Sequence, residues 1–328
     1  MFAAALNKGS RGAIAGLTGL FLVAIILDLF SPHDIENNNY PDLFYNYFVQ
    51  KITHAWLLVL LSYLFIIIGA ILVSFIAVNQ EIVDKQNYFP VFIYLLLSIA
   101  SVQPHQLVPQ ILTNVFILFS IFRLLDTYRK EDVLNHIYEA AFALSFSAFI
   151  SISVIPCFLL FFIILLILRP FYWREWLVAF LGFLSPVFLY ECVAYLSDFN
   201  QWYFLKATQN FFSYLKMPSF SEYYLPLLFL LLLLLLVSVI WGFISGFGNT
   251  VKKQRAKSIL LWYLLFASSG FFSGSASSSG VILTFALPLS FFMGDFLFSL
   301  KQIKITNTIL FIMILCVALV FLAQFNVV

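Results

Sequence analysis

Residues 225–247 read LPLLFLLLLLLLVSVIWGFISGF, twenty-three positions without a charged side chain. A bilayer hydrocarbon core about 30 Å thick is crossed by roughly 20 apolar residues in a helix. No water reaches that depth to satisfy the backbone N–H and C=O groups, so the segment must pair them internally as an α-helix. Its flanks change character at once: Glu222 precedes it, and Lys252, Lys253, Arg255 and Lys257 follow. This alternation of apolar run and polar break is repeated along the chain.

Working outward, comparable runs occupy 12–30, 55–78, 89–103, 107–125, 136–155, 157–169, 176–195, 258–273, 281–299 and 306–326. With the run quoted first they number eleven, and they predict an all-α, polytopic transmembrane bundle forming one integrated domain over 1–328. Two stretches are hard to divide. Pro104 and Pro109 break 89–125, and Pro156 breaks 136–169, so each reads either as a tight hairpin or as a pair of short or re-entrant helices. The run from Cys157 has only about 12 residues before Arg169, which suits a short helix in a locally thinned bilayer. Lys8 and Arg11 ahead of the first run resemble a signal sequence, but its length and the lack of a small-x-small site predict an uncleaved span.

Composition agrees with this reading. Of the 328 residues 63% are hydrophobic and 10% charged, which excludes a water-soluble fold. A formal net charge of +2 gives no electrostatic basis for a nucleic-acid partner. Cys157, Cys192 and Cys316 lie in apolar runs without CxxC or metal spacing, and packed thiols are expected.

Because cytoplasmic segments retain Lys and Arg, the basic residues orient the chain. Placing the N-terminus in the cytoplasm assigns fourteen of the seventeen basic residues to that side and leaves Lys51, Lys206 and Lys216 outside, with the C-terminus also outside. The acids are distributed differently. Asp28, Asp34, Glu36, Asp42, Glu191, Asp198 and Glu222 fall at or beyond the outer boundary.

Two outer segments are long, 31–54 and 196–224, and both are rich in aromatics. In the first, a polar turn region leads into Leu43, Phe44, Tyr47 and Phe48 at helical spacing, as in a helix lying in the interface. The second interleaves Trp202, Tyr203, Phe211 and Phe212 with Lys206 and Lys216. Together they roof an outer cavity in one reading and only anchor the protein to the interface in the other. Asp34, Glu36 and Asp42 place carboxylates at the bilayer surface, where partial desolvation and divalent-cation bridging suit a general base or a metal ligand. His33, Lys51, His105, Glu191 and Lys206 are the remaining candidates for substrate contact. Glu191 stands out as a carboxylate in apolar surroundings, although the outer surface is within its reach.

At the cytoplasmic side, RPFYWREW over 169–176 suits interfacial anchoring or anionic lipid heads, and the four bases of 252–257 are accounted for by topology alone. Asp295 reads as reaching the inner interface. No P-loop, kinase, HExxH or GxSxG signature occurs, nor a hydrophilic domain large enough for a nucleotide. Paired intramembrane charges and an internal repeat, the marks of many secondary transporters, are also missing.

LTNVFILFSIFRLLDTYRKEDVLNHIYEAAFALSFSAFISIS, followed by LILRPFYWREWLVAFLGFLSPVFLY, resembles a family of uncharacterised polytopic inner-membrane proteins of Bacteroidota over roughly residues 107–190. A first span, an outer loop with acids and interfacial helices, many further spans and a second outer segment are distantly similar to the GT-C membrane glycosyltransferases. That likeness implies Asp34 as catalytic base, Glu36 and Asp42 as accessory acids or metal ligands, a polyprenyl-phosphate-linked sugar as donor and a divalent cation as possible cofactor. The 31–54 loop is shorter than those enzymes usually show, and HDIE is not one of their paired-acid motifs. Two other classes stay open: a non-catalytic membrane subunit packing against protein partners in envelope biogenesis or secretion, and a lipid or small-solute transporter.

Overall fold

The computed structural model describes residues 11–30, 54–82, 87–103, 109–151, 154–196, 224–244, 250–269, 278–300 and 302–326. Eleven α-helices account for nearly all of them: α1 (Arg11–Leu29), α2 (Ala55–Asn79), α3 (Phe89–Ser101), α4 (Pro109–Leu125), α5 (Leu134–Ile150), α6 (Cys157–Leu168), α7 (Trp173–Leu196), α8 (Leu225–Ile244), α9 (Val251–Ser269), α10 (Ser278–Ser299) and α11 (Ile303–Asn326). No β-strand occurs among the described residues. Each helix falls on one of the eleven intervals expected from the apolar runs. Five are long and apolar enough to cross a membrane, namely α2, α7, α8, α10 and α11.

The centre is built on α10 and α3, which pack along one another. Phe92, Ile93 and Leu97 of α3 and Ala286, Leu287 and Met293 of α10 are almost fully buried. Close approach is possible because Gly294 meets Pro90: a Cβ there would lie 2.6 Å from the proline ring. On one side α2, α4, α5 and α7 follow in sequence of contact, and on the other α8, α9 and α11. Along the α5–α7 seam Gly182 faces Ala141 and the Tyr138 carbonyl, and the Ser145 hydroxyl donates to the Phe183 carbonyl at 2.8 Å. Small residues that bring backbones together are the usual means of helix association where lipid competes for every apolar side chain.

The outer helices keep large apolar side chains uncovered. Phe180, Leu184, Phe188 and Leu189 of α7 and Phe229, Leu232, Leu236 and Ile240 of α8 are all exposed. Both stripes follow the three-to-four-residue helical repeat, and in water such a surface would aggregate. Such a surface suits contact with lipid chains.

The stretches divided by prolines prove to be separate helices. At about 1.5 Å per residue, the 13 residues of α3 and the 12 of α6 are short of a full crossing. Neither is mainly packed on its partner across the proline break: α3 is lodged against α10 and α2 rather than α4, and α6 lies chiefly against α9, with a smaller contact to α5. Burial within protein is the condition under which backbone can leave helical form at membrane depth.

Contacts between loops define the two ends of the bundle. At one, Arg169 donates to the Thr127 and Lys130 carbonyls at 3.1 and 2.7 Å, Arg255 to the Leu168 carbonyl at 3.1 Å, and Lys252 to the Asn79 carbonyl at 2.5 Å. This joins the ends of α2, α4 and α6 to the start of α9. At the other, the Gln324 amide donates to the Ala100 carbonyl at 3.2 Å and to the Tyr224 hydroxyl, joining the ends of α11 and α3 to the start of α8. These helices therefore alternate in direction along the chain.

Candidate functional site

The end of the bundle reached by α1, α3 and α11 is where the sequence places its acidic candidates. His33, Asp34, Glu36, Asp42, Lys51, His105 and Lys206 lie outside the described residues, and so do most of the aromatic segments 31–54 and 196–224. Glu191 is described. It sits in the penultimate turn of α7, partly buried beside Tyr190, and makes no ion pair among the described residues. Among the described residues no group of three His, Cys, Asp or Glu side chains is close enough to hold a metal ion.

A carboxylate given no role by the sequence reading is better placed. Asp28, in the last turn of α1, is fully buried. It lies near enough to Tyr63 of α2 to act electrostatically on the hydroxyl, while Tyr63 is held edge-on by Phe21 at 5.2 Å. Taking a carboxylate fully out of water is expensive, and a buried acid in so apolar a chain is a candidate for function. The available signal was its place inside an otherwise uncharged run, immediately upstream of His33 and Asp34.

An apolar groove of about 280 Å³ opens between α1, α3 and α11, reaching along α1 as far as Leu27, the residue before Asp28. Leu27 and Ala24 line one wall, Leu95 and Ile99 another, and Val317 and Phe321 the third. With no polar group to solvate an ionic ligand, it suits an alkyl or isoprenoid chain.

The opposite end is polar and basic. Asp295 of α10 accepts a hydrogen bond from Lys253 at 2.9 Å and forms an ion pair with Lys257 at 2.7 Å, both on α9, with all three side chains mostly buried. Arg169 binds the buried carboxylate of Glu175 at 3.0 Å in addition to its two carbonyls. Arg123 pairs with Glu139 at 2.7 Å and reaches His136 at 3.3 Å. RPFYWREW is thus partly consumed internally: Arg169 fastens the start of α7 to the 126–130 turn, whereas Arg174 is exposed beside Trp173. Asp295 is a junction between helices and not a side chain reaching for the surface.

A family model described as a family of unknown function, DUF6427, matches residues 20–327. No curated protein and no solved structure matches the chain.

Proposed function

The chain belongs to the DUF6427 family, and on that premise we propose that it is a multi-pass protein of the bacterial cytoplasmic membrane, its source in Bacteroidota, acting on a lipid-linked substrate at the outer end of its bundle. The reaction we assign is GT-C-like glycosyl transfer. All eleven helices cross or enter the bilayer, the basic end faces the cytoplasm, and the C-terminus lies outside. The observation that carries this reading is that α1 holds the fully buried Asp28 one residue after Leu27, which lines the apolar groove. A lipid tail in the groove brings its head group to the point where α1 hands over to the segment bearing Asp34, Glu36 and Asp42.

In this mechanism Asp34 removes the proton from an acceptor hydroxyl as the oxygen attacks the sugar carbon and the bond to the lipid phosphate breaks. Negative charge accumulates on the departing phosphate. Lys51 and Lys206, one on each of the two outer segments, neutralise it, and Glu36 and Asp42 would hold a divalent cation that supplies the same stabilisation. His33, His105 and Glu191 are assigned to substrate contact.

Asp34→Asn tests the assignment. Loss of a positioned base lowers the rate by about 10²- to 10⁴-fold, so the variant should accumulate at normal level in the membrane while surface glycans disappear. Unchanged glycans with a folded variant would remove the transferase reading and leave a non-catalytic subunit that packs against partners in the envelope.

A further inference from the structure

The basic end contains a cleft that the proposed reaction does not use. It has a volume of about 470 Å³ and lies between the end of α2, the turn after α4 and the start of α9. Its charged lining consists of Glu81, Asp126, Arg129, Lys130 and Lys252. Both carboxylates are engaged: Asp126 accepts from Lys130 at 3.3 Å, and Glu81 from the Thr250 hydroxyl at 3.3 Å. Arg129 and Lys252 have no carboxylate within 4.0 Å among the described residues, nor has Arg255, whose guanidinium stacks on the cleft residue Tyr128 at 5.0 Å. The Lys252 ammonium spends one N–H on the Asn79 carbonyl and keeps two more donors.

The turns that shape the cleft are held in an unfavourable backbone form. Glu81 at φ 54° and Arg129 at φ 59° are the non-glycine residues in the left-handed region among those described, and both line it. Such residues cluster where a ligand must be met in a fixed geometry. We propose that the cleft binds a phosphate group carried by an anionic membrane phospholipid, with Arg129 and Lys252 as its direct partners and Arg255 supplying charge from behind Tyr128. The cleft lies at the basic end of the bundle, which the topology proposed above puts at head-group depth, and the inference rests on that topology. Its volume is in the range of small-ligand sites, and guanidinium and ammonium groups are the standard partners of phosphate oxygens.

The full-length protein in detergent would be titrated with phosphatidylglycerol, phosphatidylcholine and inorganic phosphate, with thermal unfolding and lipid retention in native mass spectrometry as readouts. Phosphatidylglycerol should protect and be retained, and the other two should not. The double variant Arg129→Gln, Lys252→Gln should bind it roughly 30-fold more weakly. Arg174→Gln with Lys304→Gln, which removes two bases from the same end outside the cleft, should bind as the parent does. Protection by inorganic phosphate alone would overturn the lipid source in favour of a soluble phosphate ligand. Equal retention of both lipids, or equal weakening by the two double variants, would overturn the site. If the first double variant did not fold, Arg129→Gln and Lys252→Gln would be titrated singly, each expected to weaken binding about 5-fold, and no weakening by either would overturn the site.

Discussion

At the scale of single residues, fit is set by glycines whose missing Cβ admits a neighbour. A methyl at Gly182 would sit 2.7 Å from the Ala141 Cβ and 2.9 Å from the Tyr138 carbonyl oxygen, so α5 and α7 would have to separate. Gly19 of α1 has nothing within 4 Å of that position. Gly182→Ala should therefore lower stability by roughly 1–3 kcal/mol, the usual cost of overpacking. Gly19→Ala should be neutral or stabilising by up to about 1 kcal/mol through helix propensity. Thermal unfolding of the two variants in one detergent checks the contrast, and equal effects would show that the α5–α7 seam is not close-packed. Neither glycine announces its role in the sequence, because the contact depends on which helix lies opposite. Glu81 is similar. It occupies the left-handed position of a helix C-cap where Glu81 N–H donates to Val78 and Ile82 N–H to Ala77, a place ordinarily given to glycine.

Among the helices, existence and order were legible throughout, because each apolar run bounded by charge or proline became one helix. Two of the boundaries that differ do so for the same reason. Hydropathy places the start of α9 near 258 and of α7 near 176, yet they begin at Val251 and Trp173. The extra turns carry Lys253, Lys257 and Glu175, whose charges are matched by Asp295 and Arg169 across the bundle. A hydropathy window registers a charge but not the partner that neutralises it. Asp295 serves two ammonium groups, so its removal strands both in a mostly buried site, whereas losing one lysine leaves a pair intact. Asp295→Asn should cost about 3–5 kcal/mol, the range for breaking a buried ion pair, and Lys253→Gln distinctly less. Unfolding of both variants and of their combination gives the coupling, and an Asp295→Asn no worse than Lys253→Gln would deny the shared junction.

For the molecule as a whole, what the sequence made legible was the sorting of charge. Ten Lys and Arg among the described residues, from Arg123 to Lys304, lie in loops or terminal turns that the alternating helices assign to one end. The acids at Asp28 and Glu191 belong to the other. The candidate site was only partly legible: its acidic segment could be located, but the burial of Asp28 comes from the packing of α1 on α2 and α3, and the apolar groove from the space left between α1, α3 and α11. The proposed function requires this acidic end to face outward. It is tested most directly with single cysteines introduced at Asn38, Gln209 and Lys130 in a chain whose Cys157, Cys192 and Cys316 are replaced by Ser or Ala, followed by labelling of intact cells with a membrane-impermeant maleimide. Cysteine at positions 38 and 209 should label without permeabilisation, and at 130 only after it. The reverse pattern, or labelling of 38 and 130 together, would contradict the topology and with it the outward-facing site.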